Sequence, residues 1–244
     1  MGEAIPGDMM VDGTVVLHRP AAAWIGGVVA ASTLIVLATC ISVLGAALLF
    51  AYELGLAVGL IIVSAWLALL ANYVWQDCMA RRGWQIEIEP GELKLDLPAH
   101  RSLMDAGRRL RRRLEVSDVA AIETRLEAYR TFGMVNMHRN YGLRLKSGDL
   151  IVLGEDRALA SDLSDETMGR FVETIRLKTG LPLRDIGMVE GAGGFLGVLF
   201  SSLPRWDEPS LQVERQVMLW QRAALTGGMA GTVLLIGFLV SLFI

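Results

Sequence analysis

"GWQIEIEPGELKLDL", residues 83–97, holds two short runs in which apolar and polar residues alternate on either side of a Pro-Gly pair. Strict alternation is the pattern of a β-strand with one buried and one exposed face. Pro90 and Gly91 suit the central positions of a type II turn, because glycine supplies the positive φ that the second position needs. The sequence therefore predicts a β-hairpin. Its apolar side chains are Trp84, Ile86, Ile88, Leu93, Leu95 and Leu97.

A second hairpin is predicted farther along the chain. In "YGLRLKSGDLIVL", residues 141–153, leucines alternate with charged residues and residues 146–149 turn the chain. Between the two hairpins, "RLEVSDVAAIETRLEAYR", residues 113–130, predicts a strand, a short turn at residues 117–118 and a further strand. The stretch "GMVNMHRNYG", residues 133–142, fits either a loop or the end of a strand.

An amphipathic helix is predicted in "SDETMGRFVETIRLKTGLPL", residues 164–183. Ser164 can cap its start, and Gly180 and Pro182 end it. Its apolar stripe is typical of core packing, with a binding groove as the other interpretation. Strands closed by one such helix make a small α+β domain. The stripe consists of Met168, Phe171, Val172 and Ile175.

Outside this domain the chain contains three long uncharged runs, which explain its mean hydropathy of +0.45. No charged residue occurs in 21–52, 54–76 or 223–244, and Glu53 separates the first two runs. A bilayer core of about 30 Å needs about 20 apolar residues as helix, because hydrocarbon offers no partner for backbone polar groups. The sequence therefore predicts membrane-spanning helices at residues 23–50, 54–75 and 223–243.

The distribution of arginines predicts the orientation in the membrane. Arg19 precedes the first helix, Arg81 and Arg82 follow the second, and Arg215 and Arg222 precede the third. The short link between the first two helices has no Lys or Arg. By the positive-inside rule the N-terminus and the central domain face the cytoplasm, and the C-terminus points toward the far side.

These patterns give five consecutive regions. Residues 1–22 form a cytoplasmic N-terminal segment, and 23–76 form a two-helix transmembrane hairpin. Residues 77–185 form a cytoplasmic β domain, 186–222 an interfacial or linker segment with helix entry, and 223–244 a C-terminal transmembrane helix. Within the fourth region, apolar residues of 189–203 either lie in the headgroup layer or form a buried linker.

The order of elements resembles one known family. A membrane hairpin, the turn in "LEVSDVAAIE", the hairpin "YGLRLKSGDLIVL" and the helix "ETIRLKTGLPL" are similar to the membrane-anchored bacterial PH-like proteins over about residues 25–183. The resemblance implies an antiparallel, curved sheet or partly open barrel with a closing helix, in the bacterial inner membrane. It brings no shared catalytic residues. The third membrane helix and an arginine-rich insertion depart from the simplest version of that plan.

The insertion contains "GRRLRRRL", residues 107–114. Leu103, Gly107, Leu110 and Leu114 are spaced as one stripe of a helix, with arginines on the other faces. Three interpretations remain: contact with anionic lipid, a solvated loop that protects a sheet edge, and docking onto an acidic partner. Nucleic-acid binding is disfavoured, because residues 98–115 contain no aromatic residue and the chain has a net charge of −3. The candidate residues are Arg101, Arg108, Arg109, Arg111, Arg112 and Arg113.

Small residues in the membrane runs form a second set of candidates. They allow close approach of helix backbones, where van der Waals packing drives association within the chain or with a partner. GxxxG patterns occur at Gly55 and Gly59 and at Gly227 and Gly231. A further small patch consists of Gly26, Gly27 and Ala30.

Catalytic and metal-binding motifs were not found in the sequence. The two cysteines and three histidines are scattered, and "GAGG" at residues 191–194 has neither the strand nor the spacing of a dinucleotide site. We therefore expect a non-enzymatic inner-membrane interaction protein without a cofactor, an accessory subunit or assembly factor that contacts other membrane subunits or itself. The alternative is a membrane protein that senses anionic lipid through its basic segment, and an enzyme is the third possibility.

Overall fold

The computed structural model describes residues 8–11, 14–19, 21–98, 109–131, 134–158, 167–191 and 205–225. They form an α+β protein with two long apolar helices, two β-sheets and a short amphipathic helix, which confirms the predicted fold class at this level. Contacts divide the chain into two units. Unit 1 comprises Met1–Met10, Val16–Ile86 and Leu95–Arg112, and unit 2 comprises Val11–Val15, Glu87–Lys94 and Arg113–Ile244.

The helical hairpin of unit 1 consists of α1 (Ala22–Phe50) and α2 (Leu54–Arg82). Both helices are long and apolar enough to cross a membrane. The first has nearly the predicted bounds, but α2 continues seven residues past its predicted end. Hydropathy detects only the apolar part of a helix. The added turns are stabilised by the ion pair between Asp77 and Arg81 at 2.7 Å and by basic residues at the helix C-terminus.

Small side chains line the contact between α1 and α2. The hydroxyl of Ser64 donates to the carbonyl oxygen of Ala38 at 2.8 Å and lies 2.6 Å from the hydroxyl of Ser42. A Cβ on Gly27 would collide with the sulfur of Cys78, so a larger residue at this position would require the Cys78 side chain to move. Most large apolar side chains of the hairpin are exposed. In water this exposure would be costly, whereas a lipid environment would accommodate it.

The first sheet has five strands in the order β1-β2-β3-β4-β5. Their bounds are β1 Asp8–Val11, β2 Thr14–His18, β3 Gln85–Glu89, β4 Glu92–Leu97 and β5 Leu110–Glu115. The predicted hairpin is β3-β4, and Gly91 has the positive φ, +82°, that its turn requires. All six apolar side chains of the predicted hairpin are buried.

The second sheet lies in unit 2 and has the order β8-β7-β6-β9. Its strands are β6 Val119–Thr131, β7 Met134–Leu145, β8 Leu150–Ala158 and β9 Leu183–Glu190. Neighbours in β6-β7-β8 are antiparallel, whereas β9 runs parallel to β6. The second predicted hairpin is confirmed as β7-β8. The stretch that fitted a loop or a strand end is part of β7 from Met134 onward.

The predicted amphipathic helix is α3, Thr167–Thr179, and its apolar stripe is buried as core packing requires. Gly180 follows it with φ +70°. The predicted cap, Ser164, lies outside the described residues. Two backbone N–H groups in the first turn of α3 donate to a side chain from the sheet, since Met168 and Gly169 each donate to the carboxylate of Asp156 at 2.8 Å.

The end of the β domain differs from the prediction. Residues 186–190, expected to begin the interfacial or linker segment, belong to β9. Gly187 has φ +86° close to a register shift between β6 and β9, so it is part of an irregular strand. Residues 213–225 are helical and 226–244 lie outside the described residues, as do 192–204. The third membrane helix therefore stays a prediction.

The described part of the C-terminal helix packs on the second sheet. Leu219 and Ala223 are buried against side chains from β6, β7 and β9. The residues that lead into the helix are also bound to the sheet, because the backbone N–H of Leu211 donates to the carbonyl of Met188 at 2.8 Å. The cluster consists of Ala128, Val135, Met137, Met188, Leu219 and Ala223.

Candidate functional site

The arginine segment is a strand and not a helix over its described part. Leu110 and Leu114 lie in β5, so the helical stripe predicted through them is wrong there. A spacing of four residues brings side chains to one face in a strand as well as in a helix, and the pattern could not separate the two. Leu114 is buried, and Leu110 is exposed. Outside the described residues lie Arg101, Leu103, Gly107 and Arg108.

Two of the arginines converge on one carboxylate of β4. The guanidinium of Arg109 binds both oxygens of Asp96, and Arg111 donates to the same carboxylate at 3.2 Å. Arg109 also donates to the carbonyl oxygen of Gly83, the C-cap residue of α2, at 3.2 Å. Arg112 is exposed and forms no ion pair with the part of the chain that the structure describes. The arginine strand is thereby joined to the end of the second apolar helix.

Farther along, in unit 2, the charges of β3, β4 and β5 are nearly balanced. Arg113 lies 3.8 Å from Glu92, and Lys94 lies between Glu87 and Glu89. The hydrogen bond from Lys94 to Glu89 raises the pKa of the lysine, so this ammonium stays charged. This part of the strands therefore adds no net positive charge, although the side chain of Arg113 is exposed.

At the open end of the hairpin, unit 1 carries a strong positive charge. The guanidinium carbon of Arg82 lies 5.2 Å from the ring centre of Trp24, which brings the end of α2 beside the start of α1. We call this region the hairpin base. It consists of Arg19, Trp24, Asp77, Arg81, Arg82, Asp96, Arg109, Arg111 and Arg112. Six arginines and two aspartates give it a formal charge of +4.

A second cluster of charged side chains lies on one face of β6. Glu123, Arg125 and Glu127 alternate along the strand and are 7%, 2% and 1% exposed. Burying charges without partners costs several kcal/mol each, so their partners decide what the cluster does. The cluster divides into two parts, one around Arg125 and one around Glu127.

The first part binds residues 205–212, which we call the strap. The indole N–H of Trp206 donates to Glu123 at 2.7 Å, and Arg125 donates to the backbone carbonyl of Trp206 at 2.6 Å. Arg144 binds both Glu123, at 3.1 Å, and Asp207, at 3.0 Å. Burial lowers the pKa of Arg125, whereas the hydrogen bond to Glu123 raises that of Arg144. These contacts fix the strap to the sheet.

The second part surrounds Glu127. Its carboxylate accepts hydrogen bonds from the hydroxyl of Tyr129 at 2.6 Å and from the amide of Asn140 at 3.0 Å. The imidazole of His138 stacks near Tyr129, with 4.6 Å between ring centres, and lies 3.2 Å from Glu155. Burial raises the pKa of Glu127. In the described ranges, no group of three His, Cys, Asp or Glu side chains is placed to hold a metal ion.

The membrane glycines have different surroundings. Gly27 is at the contact of α1 with α2, and Gly45 lies against Ile61, so both serve the hairpin itself. Gly26, Gly55 and Gly59 have nothing within 4 Å of the position of a Cβ. Ala30 is exposed. These four residues are open on the described hairpin at two separate places, since Gly26 and Ala30 are near its base and Gly55 and Gly59 are near the loop between the helices. Gly227 and Gly231 lie outside the described residues.

The sequence did not identify the buried charges of β6. Their alternation with Ile122 and Leu126 predicts the strand, but a polar face of a strand normally faces solvent. One sequence feature could have indicated their burial, the combination of Glu, Arg and Glu on one face of a strand. If such a face is buried, another segment must cover it and donate hydrogen bonds to the carboxylates. That cover, Trp206, is far away in the sequence and could not be assigned to this strand in advance.

Comparison of the chain with protein-family models, with curated proteins and with solved structures found no match. Its function is therefore argued from the open hairpin, the hairpin base and the buried charges of β6.

Proposed function

We propose that this chain is a non-enzymatic interaction protein of the bacterial inner membrane, an accessory subunit or assembly factor of a larger membrane complex. Two apolar helices anchor it, and the unit that follows them is a PH-like domain on the cytoplasmic side. The observation that carries the proposal is the open small-residue surface at Gly55 and Gly59 of α2.

In a bilayer this surface favours a helical partner. Gly55 and Gly59 are one turn apart on α2 and therefore lie on the same side of the helix. Neither is used for the contact with α1, which is made at Gly27 and Gly45. Lipid tails solvate leucine as well as another helix does, so helices associate where small residues allow their backbones to approach closely. The surface thus has the chemistry of a helix-docking face.

The PH-like assignment has its own support. The antiparallel strands β6, β7 and β8 are followed by α3, which packs its apolar stripe into the core, as the resemblance implies. The parallel strand β9 is an addition to that plan. The basic hairpin base supports a cytoplasmic position of this unit through the positive-inside rule.

Purification in mild detergent with an affinity tag tests the proposal. Gly55→Leu together with Gly59→Leu should remove the membrane proteins that co-purify with the wild-type chain, because leucine fills the helix-docking face. Leu56→Ile together with Val58→Leu, at exposed positions of the same helix, serves as the matched control. The control should retain the same partners.

Two outcomes contradict the proposal. If the leucine variant keeps every partner of the wild type, the surface does not bind a partner. If the variant loses thermal stability and wild-type and variant chains both purify alone, the surface is covered by another helix of this chain. Self-association would appear as loss of an oligomer of this chain alone.

A further inference from the structure

We propose that the hairpin base binds the phosphate groups of anionic phospholipids in the leaflet into which the open end of the hairpin projects. This inference deepens the proposed function, since it requires that the hairpin spans a bilayer. It names the lipid class that the anchor prefers. The carrying observation is that Trp24, Gly83 and Asp96 hold three arginines at one end of two apolar helices, namely Arg82, Arg109 and Arg111.

The length of α2 places this end in the headgroup layer. The uncharged run 54–76 rises about 34 Å, enough to cross a hydrocarbon core of about 30 Å. The whole of α2 rises about 43 Å, which matches the total bilayer thickness of about 40 to 45 Å, so that each end of a centred helix lies in a headgroup layer. Arg81 and Arg82 are therefore at the depth of the lipid phosphates.

Trp24 fixes the same level independently. Indole rings favour the boundary between hydrocarbon and headgroups, because one part of the ring is apolar and the N–H is polar. The guanidinium of Arg82 lies over this ring at 5.2 Å from its centre. An arginine held against an interfacial aromatic keeps its charge near the phosphates and is partly ordered before lipid binds.

The arginines of β5 extend the basic surface from this level. Arg109 contacts the carbonyl of Gly83 directly after α2, and Asp96 holds Arg109 and Arg111 together. One carboxylate shared by two guanidinium groups leaves a net positive charge. Arg111 has a 71% exposed side chain, and Arg112 is also exposed. Guanidinium groups bind phosphate through paired N–H donors. This geometry favours direct binding of phospholipid headgroups over a nonspecific attraction of anions.

The far end of the hairpin is different. Glu53 is the N-cap residue of α2, and the loop that joins the helices has no basic residue. The two ends of α2 are about 43 Å apart, beyond the Debye length of about 8 Å at physiological ionic strength. The two ends of the hairpin therefore differ in charge, and only the positively charged base attracts an anionic leaflet.

The experiment uses the full chain in lipid nanodiscs of phosphatidylcholine alone or with a third phosphatidylglycerol. The wild-type chain should unfold at a higher temperature in the anionic discs, because a ligand that binds the folded state stabilises it. This shift should decrease at 1 M NaCl, where the Debye length is about 3 Å. Arg111→Gln together with Arg112→Gln should lose most of the shift, and Arg111→Lys together with Arg112→Lys should keep part of it.

A charge-matched control removes two exposed arginines of unit 2, Arg170→Gln and Arg184→Gln. It should keep the wild-type shift. The ion pair of Arg111 with Asp96 is exposed and Arg112 has none with the described part of the chain, so their replacement should lower the unfolding temperature in phosphatidylcholine discs only slightly. The comparison of the two kinds of disc then separates loss of lipid binding from loss of folding.

The outcomes are distinguishable. A wild-type chain that enters the discs but shows no dependence on phosphatidylglycerol overturns the lipid inference and leaves the membrane anchor intact. A chain that cannot be incorporated into discs overturns the anchor itself. An equal shift with inorganic phosphate in phosphatidylcholine discs assigns the site to free phosphate. Loss of an acidic protein partner in the glutamine variant without any lipid dependence assigns it to protein docking, and both results contradict the inference.

Discussion

The indole Nε1 of Trp206 donates a hydrogen bond to Oε2 of Glu123 at 2.7 Å, across 83 positions of sequence. Both side chains are buried. The carboxylate of Glu123 also accepts from Arg144, so it is neutralised and hydrogen-bonded at once. This relationship makes the strap part of the sheet, and the strap leads directly into the helix over 213–225. Any displacement of that helix therefore acts on the buried charges of β6.

Replacing Trp206 with Phe should destabilise the full chain by about 2 to 4 kcal/mol. The change removes the donor to a buried carboxylate and leaves a gap where the larger ring was. Unfolding in detergent, followed by circular dichroism, measures the effect. Asp207→Asn is the control, because Asp207 is 85% exposed and its pairing with Arg144 should contribute less than about 1 kcal/mol. Equal stability of the Trp206 variant and the wild type would show that the strap does not hold the fold.

Gly142→Ala should also loosen the strap. A Cβ at Gly142 would lie 3.0 Å from Leu150, 3.2 Å from the carbonyl oxygen of Ile151 and 3.3 Å from Trp206. The backbone atom cannot move without disturbing the β7-β8 pairing, so the expected loss is about 1 to 3 kcal/mol. A lowered unfolding midpoint with raised Trp206 exposure to acrylamide quenching would confirm this mechanism. Unchanged quenching of Trp206 fluorescence would show that the absence of a side chain at Gly142 is not what makes room for the indole ring.

The elements that the sequence predicted well have local causes. The β3-β4 hairpin follows from alternation and from a glycine that must take positive φ, and both are properties of adjacent residues. The stripe of α3 is equally local. The two apolar helices could be predicted because each uncharged run is long enough to cross the hydrocarbon core of a bilayer as a helix. These features could be predicted because no distant residue is needed to define them.

The features that the sequence missed depend on contacts between distant residues. The burial of Arg125 could not be predicted, because the carbonyl oxygens that accept its hydrogen bonds belong to the strap, 81 residues later for Trp206. Asp156 accepts the backbone N–H groups of Met168 and Gly169 at the start of α3, and the sequence could not indicate this acceptor because the sheet supplies it. The arginine run was ambiguous for a geometric reason, since a four-residue spacing fits a strand and a helix alike.

Glu127→Gln should change stability in a pH-dependent way. Burial raises the pKa of Glu127 in the fold above its ordinary value. Below the ordinary pKa the carboxyl is protonated in both states. As the pH rises toward the raised pKa, the unfolded chain ionises first, so the wild type loses stability and the glutamine variant does not. Between the ordinary pKa and the raised pKa, the glutamine variant should therefore become more stable relative to the wild type as the pH rises. Above the raised pKa the difference in their free energies of unfolding should stay constant.

Thermal unfolding of both chains between about pH 2 and pH 8 measures this difference and includes the low pH interval that the control needs. Glu173→Gln is the control, because the hydrogen bond from Arg176 lowers the pKa of Glu173, and its variant should lose stability relative to the wild type as the pH rises through the lowered and ordinary values. A pH-independent difference for Glu127→Gln would show that the carboxyl has the same pKa in the folded and unfolded chain.

Asp156→Ala should destabilise α3 at its start. The carboxylate accepts the backbone N–H groups of Met168 and Gly169, two donors that the helix cannot satisfy internally. Because Asp156 is buried, water replaces it poorly, and the expected loss is about 1 to 3 kcal/mol. Asp185→Asn is the control, since Asp185 is exposed and accepts a single N–H from Gly187.

Hydrogen exchange can locate the effect of the Asp156 change. If Asp156 caps α3, the amides of Met168 and Gly169 should exchange faster in the alanine variant, by more than those of β6. Burial and the charge of Asp156 both raise the pKa of Tyr141, so the variant should also lower the pKa of that phenol. Faster exchange spread evenly over the sheet, with an unchanged tyrosine titration, would show that Asp156 contributes only to general packing and not to the helix start.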